Sequence, residues 1–469
     1  MKRLIVILTL FPILAFTESQ QQIKIAEFQL PENTIISLIQ QNSQIRHFSK
    51  EELNNNQDLT HYLLSKALLE NNVSVINNLL RIYQYFPNKD PILIIYSKAK
   101  IAFLNKDYQS AIKYYREILA QNPNLNPVRV ELAIALFHDQ QYKLAEEQFY
   151  KALNEPNLPK LVNQKIKTYL DAIKYKNEWK FNFSTYYLNE NNVNNVSKNR
   201  NIESTGYVKN DDMLPKKAHG IAINANITKD LNLFRKHYLA FENSLFRKSY
   251  WDNHDYDDMT NRSSLGYRYK IPNSTISLLP FYEKRWYGNK SYYWANGARL
   301  EFSHWLNNNW QISNALEWKK SRYFETLSLN GHTKLISSTL AWIRTPQQVF
   351  YIGGDFNQEV TPVKQYSSDT QSIRFGWGQE WNKGMSSSIN LALTKRKYKD
   401  LAKLGGLIPL GKIREDNIYH LNLTLWKRDW YWLGITPKLQ LHYLKQKSNL
   451  PTMFSYTDKT VRIIFEKSF

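Results

Sequence analysis

The sequence predicts a multidomain α + β chain, with an N-terminal α-helical repeat solenoid followed by a 14-stranded antiparallel transmembrane β-barrel. Three observations predict it. All 13 tryptophans lie at or after Trp179. The charge balance shifts at the same place, from 21 Lys/Arg against 17 Asp/Glu in residues 1–178 to 41 against 24 in residues 179–469. The apolar pattern also changes there, from helical spacing to alternation.

The chain opens on "MKRLIVILTLFPILAF", basic at Lys2 and Arg3, then apolar for 13 residues from Leu4 to Phe16. That length suits a secretory signal and is too short to span a bilayer. Residues 1–19 are therefore assigned to a signal peptide cleaved near 17–20, with an uncleaved anchor as the alternative, and residues 20–57 to an N-terminal segment. There is no cysteine, which excludes disulfides, thiolate metal sites and an N-terminal lipid anchor on this chain itself. No later run reaches ~18 apolar residues, so a helical inner-membrane protein is excluded while a barrel is not.

Residues 58–178 read as paired helices that repeat. Shifting "AKIAFLNKDYQSAIKYYREILAQNPN" by 34 residues onto "AIALFHDQQYKLAEEQFYKALNEPN" aligns Ala99 with Ala133, Tyr108 with Tyr142, Ala111 with Ala145 and Tyr115 with Phe149. Small alanines let paired helices approach closely, and the aromatics fill the gap to the next pair. This spacing resembles the tetratricopeptide repeat. A divergent pair at 58–86 and a closing helix at 160–176 complete a short solenoid. Its concave face suits a peptide or protein partner, with an inert spacer as the alternative.

Residues 179–469 alternate. Ile221, Ile223, Ala225 and Ile227 oppose Ala222, Asn224, Asn226 and Thr228; Tyr419, Leu421, Leu423 and Leu425 oppose His420, Asn422 and Thr424. Strand centres fall near 184, 223, 243, 265, 281, 299, 316, 338, 354, 374, 392, 420, 440 and 463. Segments of 12–14 residues tilted near 45° rise roughly 30 Å, enough to cross an outer membrane. Connections after even strands are mostly tight ("KIPNS", "LNNN", "TPQ", "NKG"), and 191–217 and 400–413 read as long loops on the other rim. An even strand count puts both barrel ends on the short-turn rim, with the helical repeats in the periplasm. Trp305, Trp310, Trp381, Trp426 and Trp430 are expected in one interfacial belt, and Trp286, Tyr287, Tyr292, Tyr293 and Tyr323 in the other. The closing "DKTVRIIFEKSF" puts Val461, Ile463, Phe465 and Phe469 on one face, with Ile464 the apolar exception on the other. A last strand of this kind pairs with the first, so that no edge faces lipid.

Three motifs fail as chemistry. "GLIPLGK", Gly406 to Lys412, lacks the Ser/Thr and the strand–loop–helix setting of a phosphate loop, and reads as an external loop. "HDYDD", His254 to Asp258, reads as a solvated loop near lipopolysaccharide, with calcium binding the lesser alternative. The ten histidines show no paired ligand spacing. No catalytic, cofactor or metal residue is assigned and no enzyme is expected. The barrel's excess of 17 positive charges suits anionic lipid headgroups, an acidic substrate or water. The export signal disfavours nucleic acid.

Signal, short tetratricopeptide domain and fourteen-stranded barrel together resemble the Slam family, the surface lipoprotein assembly modulators of Gram-negative bacteria. The stretches "LLPFYEKRWYGNKSYYWANGARLEFSHWL" at 278–306 and "ITPKLQLHYLKQKSNLPTMFSYTDKTVRIIFEKSF" at 435–469 carry the resemblance. It implies an outer-membrane translocator that delivers surface lipoproteins, or a secreted haem- or iron-binding protein, from periplasm to cell surface. The repeats would engage the client or a periplasmic chaperone, and terminal Phe469 resembles the signal read by the barrel-assembly machinery. The alternatives are a polysaccharide-export porin with a periplasmic repeat domain, and a passive porin.

Overall fold

The computed structural model describes residues 48–155, 158–202 and 206–468. The expected signal peptide and Phe469 lie outside these residues. The chain forms two compact units. One is helical, running to Glu178 and taking in the short segment 232–237; the other holds residues 179–231 and 238–469.

The helical unit contains α1 (Lys50–Asn55), α2 (Gln57–Leu69), α3 (Val73–Tyr83), α4 (Pro91–Leu104), α5 (Tyr108–Gln121), α6 (Asn126–His138), α7 (Tyr142–Leu153) and α8 (Lys160–Asn177). Short polar side chains start most of the early helices. Ser49 and Glu52 form a reciprocal capping box on α1, and the side chains of Asn56, Asn72, Asp90 and Asp107 each accept from a first-turn amide. The turns inside α2–α3, α4–α5 and α6–α7 are the same. Asn71, Lys106 and Gln140 take φ of 55°, 63° and 61°. Just beyond each, the amides of Asn72, Asp107 and Gln141 bond back to the carbonyls of Ala67, Ala102 and Leu136. The repeat therefore includes the divergent first pair, although its sequence hides this. A left-handed residue other than glycine costs roughly 1–2 kcal/mol, partly offset by glycine's greater unfolded freedom. Gln140→Gly is expected to stabilise the helical unit by ~0.5–1 kcal/mol, read as a higher midpoint in thermal melts.

Ala99, Ala111, Ala133, Ala145, Tyr115 and Phe149 are fully buried, and Tyr142 is nearly so. Tyr108 is half-buried and stacks on His138 at 5.4 Å. Phe149 stacks on Tyr169 of α8 at 5.3 Å, so the closing helix covers the last pair.

The other unit is a closed antiparallel barrel. Its strands are β1 (Lys180–Glu190), β2 (Ala218–Phe234), β3 (His237–Tyr250), β4 (Asp258–Ile271), β5 (Ser274–Tyr287), β6 (Lys290–Trp305), β7 (Trp310–Tyr323), β8 (Gly331–Thr345), β9 (Gln348–Val360), β10 (Ser368–Glu380), β11 (Met385–Leu404), β12 (Ile408–Lys427), β13 (Thr436–Ser448) and β14 (Tyr456–Ser468). Each pairs with its chain neighbours, and β14 closes on β1. The outer face is apolar: Leu439, Leu441, Val461, Ile463 and Phe465 are all exposed. The lumenal wall carries alternating charge. Arg262 and Arg299 both reach Glu317, Lys319 reaches Glu283 at 3.1 Å, and Arg268 bridges Asp230 and Glu242 at 2.6 Å each. Oily outside and ionic inside is the arrangement lipid demands of a closed sheet.

Three expectations are corrected. Residues 400–413 are not a long loop. β11 and β12 continue as a projecting hairpin of 20-residue strands, turned at Gly405 and Gly406 with φ of 58° and 76°. "GLIPLGK" is thus split between that turn and β12, because Leu410 packs inward with Ile202 and Met453 instead of facing solvent. "HDYDD" is a solvated loop only in part: His254 and Asp255 are exposed, but Asp257 accepts the Tyr250 amide at 2.7 Å, and Asp258 takes the Arg285 guanidinium on both oxygens. The aromatic belts are incomplete. Trp310, Trp342 and Phe350 stack along the short-turn rim, but Tyr293 turns inward onto Glu283, and Trp426 lies beside Lys438, since alternation puts both on the lumenal side.

Candidate functional site

The distinctive feature of the barrel is where it closes. Among the described residues, β1 and β14 share five register pairs, from Asn182↔Ser468 to Tyr186↔Ile464. Every other ladder whose register is described has at least the eleven pairs of β1–β2. All five lie toward the short-turn rim. Above them, Tyr187–Glu190 pair with β2 alone, and Tyr456–Gln446 to Ile463–Leu439 pair β14 with β13 alone. Buried backbone hydrogen bonds contribute roughly 1 kcal/mol each, and an unpaired polar edge is most costly in lipid. The seam is therefore the wall's weak line.

Polar side chains line the lumenal wall beside the unladdered half, and Arg462 reaches across the seam. Glu190 accepts from Lys248 and from the Tyr250 hydroxyl, each at 2.8 Å. The Arg462 guanidinium sits 5.1 Å from the Tyr186 ring across the seam. Farther along, His442 contacts Asn422 at 2.8 Å and lies 3.8 Å from Asp458. On β14 the buried Tyr456 hydroxyl and Thr460 Oγ1 have no hydrogen-bond partner among the described residues. These are groups that water or an incoming polar chain would satisfy.

A strap crosses the extracellular end. The 191–217 connection leaves β1, and its Ile202 packs on Leu410 of β12 and on Met453 of a short helix, α9 (Pro451–Phe454), between β13 and β14. It thus joins the two sides of the seam. Lys209 pins it, donating to the Ser197 carbonyl at 3.2 Å and to the Thr452 carbonyl. Burial pushes the Lys209 ammonium below the ordinary lysine range. Removing a buried donor to two carbonyls costs about 1–3 kcal/mol. Lys209→Ala is accordingly expected to raise proteolytic nicking within 191–217 about tenfold, measured by limited proteolysis of the folded barrel. At the other end, a cavity of about 280 Å³ is lined by Trp426, Arg428, Gly434, Thr436, Lys438 and Glu466. Lys438 and Glu466 pair there at 3.0 Å.

The residues singled out from sequence in the helical repeats are buried within that unit, except Tyr108, which is half-buried. Glu190, Lys248, Tyr250, Arg462 and Lys209 were not legible as a group. Glu190 meets Lys248 and Tyr250 of β3, Arg462 reaches Tyr186 only when the cylinder closes, and Lys209 belongs to the strap, at which only the length of 191–217 hinted. Among the described residues no cluster of three or more His, Asp or Glu could hold a metal ion.

A closed, lipid-facing barrel of fourteen strands with helical repeats preceding it defines an outer-membrane protein with a periplasmic repeat domain. Family models agree on both parts. "Surface lipoprotein assembly modifier" matches residues 179–469, and "Surface lipoprotein assembly modifier, N-terminal TPR repeats" matches 46–149. The chain belongs to the surface lipoprotein assembly modifier family. It is 34% identical to surface lipoprotein assembly modifier 1 of Haemophilus influenzae, covering 96% of this chain and 92% of that one. With the surface lipoprotein assembly modifier of Pasteurella multocida it shares 33% identity, covering 89% and 84%. A hemophilin secretion modulator of Acinetobacter baumannii is 23% identical, covering 82% and 81%. Among solved structures, a loop L8 deletion mutant of OmpT, an outer membrane protein of Vibrio cholerae, matches with a TM-score of 0.34 at 7% identity, covering 62% of this chain and 98% of that one.

Proposed function

We propose that this protein moves a client protein from the periplasm to the cell surface, and that the client passes the barrel at the β1–β14 seam. The observation that carries the reading is the closure by five described pairs, fewer than half the eleven of the next ladders. The client is a surface lipoprotein or a secreted protein of the hemophilin kind, the two named in the relatives' descriptions. The helical repeats hold it unfolded, or hold a chaperone that does. A client strand adds to the free edges of Tyr187–Glu190 and β14, where β-augmentation supplies backbone bonds that the wall lacks. The strap opens to let it out. Folding of the client outside makes return unfavourable, so transport needs no nucleotide.

The test is co-expression of a signal-bearing client encoded beside this gene, with and without this protein, followed by protease shaving of intact cells. Shaving that removes the client only when this protein is present supports the reading. A client equally exposed, or equally protected, in both strains contradicts it.

A further inference from the structure

The outer face of β11–β14 is not uniformly apolar. Lys395, Lys397 and Lys399 follow Ile389, Leu391 and Leu393 at the same parity of β11, so they point away from the lumen. Lys445 and Lys447 follow Leu439 and Leu441 on β13, and Lys459 precedes Val461 on β14. The register gathers them: Lys395 pairs with Asn417 and Asn417 with Lys447, while Lys445 and Lys459 flank Tyr443. All six stand on the extracellular side of the apolar band. Two of the ammonium groups sit over aromatic rings, Lys447 over Tyr419 at 6.0 Å and Lys459 over Tyr443 at 5.8 Å.

Six cations meet two acids. Glu415 takes Lys397 at 3.1 Å and Lys395 at 3.9 Å, and Asp369 takes Lys399. No described carboxylate pairs with Lys445, Lys447 or Lys459. The side chains of Lys395 and Lys397 remain 59% and 61% exposed, so even the paired ones are open to a ligand. A membrane-facing cluster of this charge would repel itself without anions at the same depth.

We infer that this lysine patch is a binding site for the phosphates of the outer-leaflet glycolipid, that is, for phosphorylated lipid A. Charge complementarity selects the phosphate groups, and the apolar band directly beneath receives the acyl chains. An acidic protein segment would satisfy the charge but not the lipid-facing position. The site lies beside the unladdered half of the seam, so bound glycolipid would pack against β14 from outside. The inference does not depend on the transport reading.

The test uses the full chain, refolded and shown by heat-modifiable migration to be a closed barrel. Binding of bis-phosphorylated lipid A, and of the same lipid stripped of phosphate, is measured by native mass spectrometry and by thermal shift in detergent. The variant carries Lys395→Gln, Lys397→Gln, Lys445→Gln and Lys447→Gln; a matched variant carries arginine at the same four positions. The expected result is at least tenfold weaker binding by the glutamine variant, retention by the arginine variant, and weak binding of the phosphate-free lipid by all three. Equal affinity for both lipids, or a glutamine variant that binds as well as the parent, overturns the site. So does a patch that binds an acidic peptide in preference to lipid A.

Discussion

Cysteines at Ser184 and Glu466, oxidised to a disulfide, are expected to abolish surface display of the client while leaving the barrel folded. These residues are register partners on the lumenal side of β1 and β14. Directly opposed strand residues hold their Cβ atoms ~4.5–5.5 Å apart, close to disulfide geometry. The chain has no other cysteine, so the bond that forms is the intended one. A covalent staple adds nothing to a seam that never opens, but it blocks one that must separate. Display should fall at least tenfold under oxidising conditions and recover with reductant. Glu466→Cys alone removes the 3.0 Å contact with Lys438. As a partly exposed pair it contributes little, so that single variant serves as a control. A second control staples Ser313 to Thr339, register partners on β7 and β8, and should have no effect.

Phe149→Ala is expected to unfold much of the helical unit while the barrel stays intact. Phe149 has no exposed surface and stacks on Tyr169 at 5.3 Å with an interplanar angle of 18°. Ala145 and Ala152 on the same helix are also fully buried, so neighbouring side chains are too short to refill the space. Truncating a buried phenylalanine costs about 3–5 kcal/mol, against a total of about 5–15 for a typical domain. Helical circular dichroism should melt at a much lower temperature, with heat-modifiable migration of the barrel unchanged. Surface display of the client should fall as well if the repeats hold it. Loss of the barrel together with the helices would show that the two units do not fold independently.

Much of this architecture is legible in the residues because its causes are local. Alternation in "NIYHLNLTLWK" marks a two-faced strand wherever it sits, and a 34-residue echo of alanines and tyrosines marks stacked helix pairs. Ile464, the exception in the closing strand, is explained by its register partner Tyr186 across the seam. What the sequence hid depends on distant partners. Alternation cannot say how many residues of β1 and β14 meet, because that is set by the slant at which the cylinder closes. It also cannot separate a loop from a projecting hairpin. The stretch 400–413 looked irregular because the ladder shifts register between Lys397 and Leu401, breaking the period just where it would have been counted. Asp257 and Asp258 looked solvated because their partners, Tyr250 and Arg285, lie in other strands.

The central claim is that the client crosses at the open half of the seam. A photo-crosslinking amino acid placed singly at Tyr187, at Thr460 and at Thr339 on the opposite wall tests it in cells making the client. The account predicts client adducts at Tyr187 and Thr460 and none at Thr339. Adducts at Thr339 with none at the seam would contradict it.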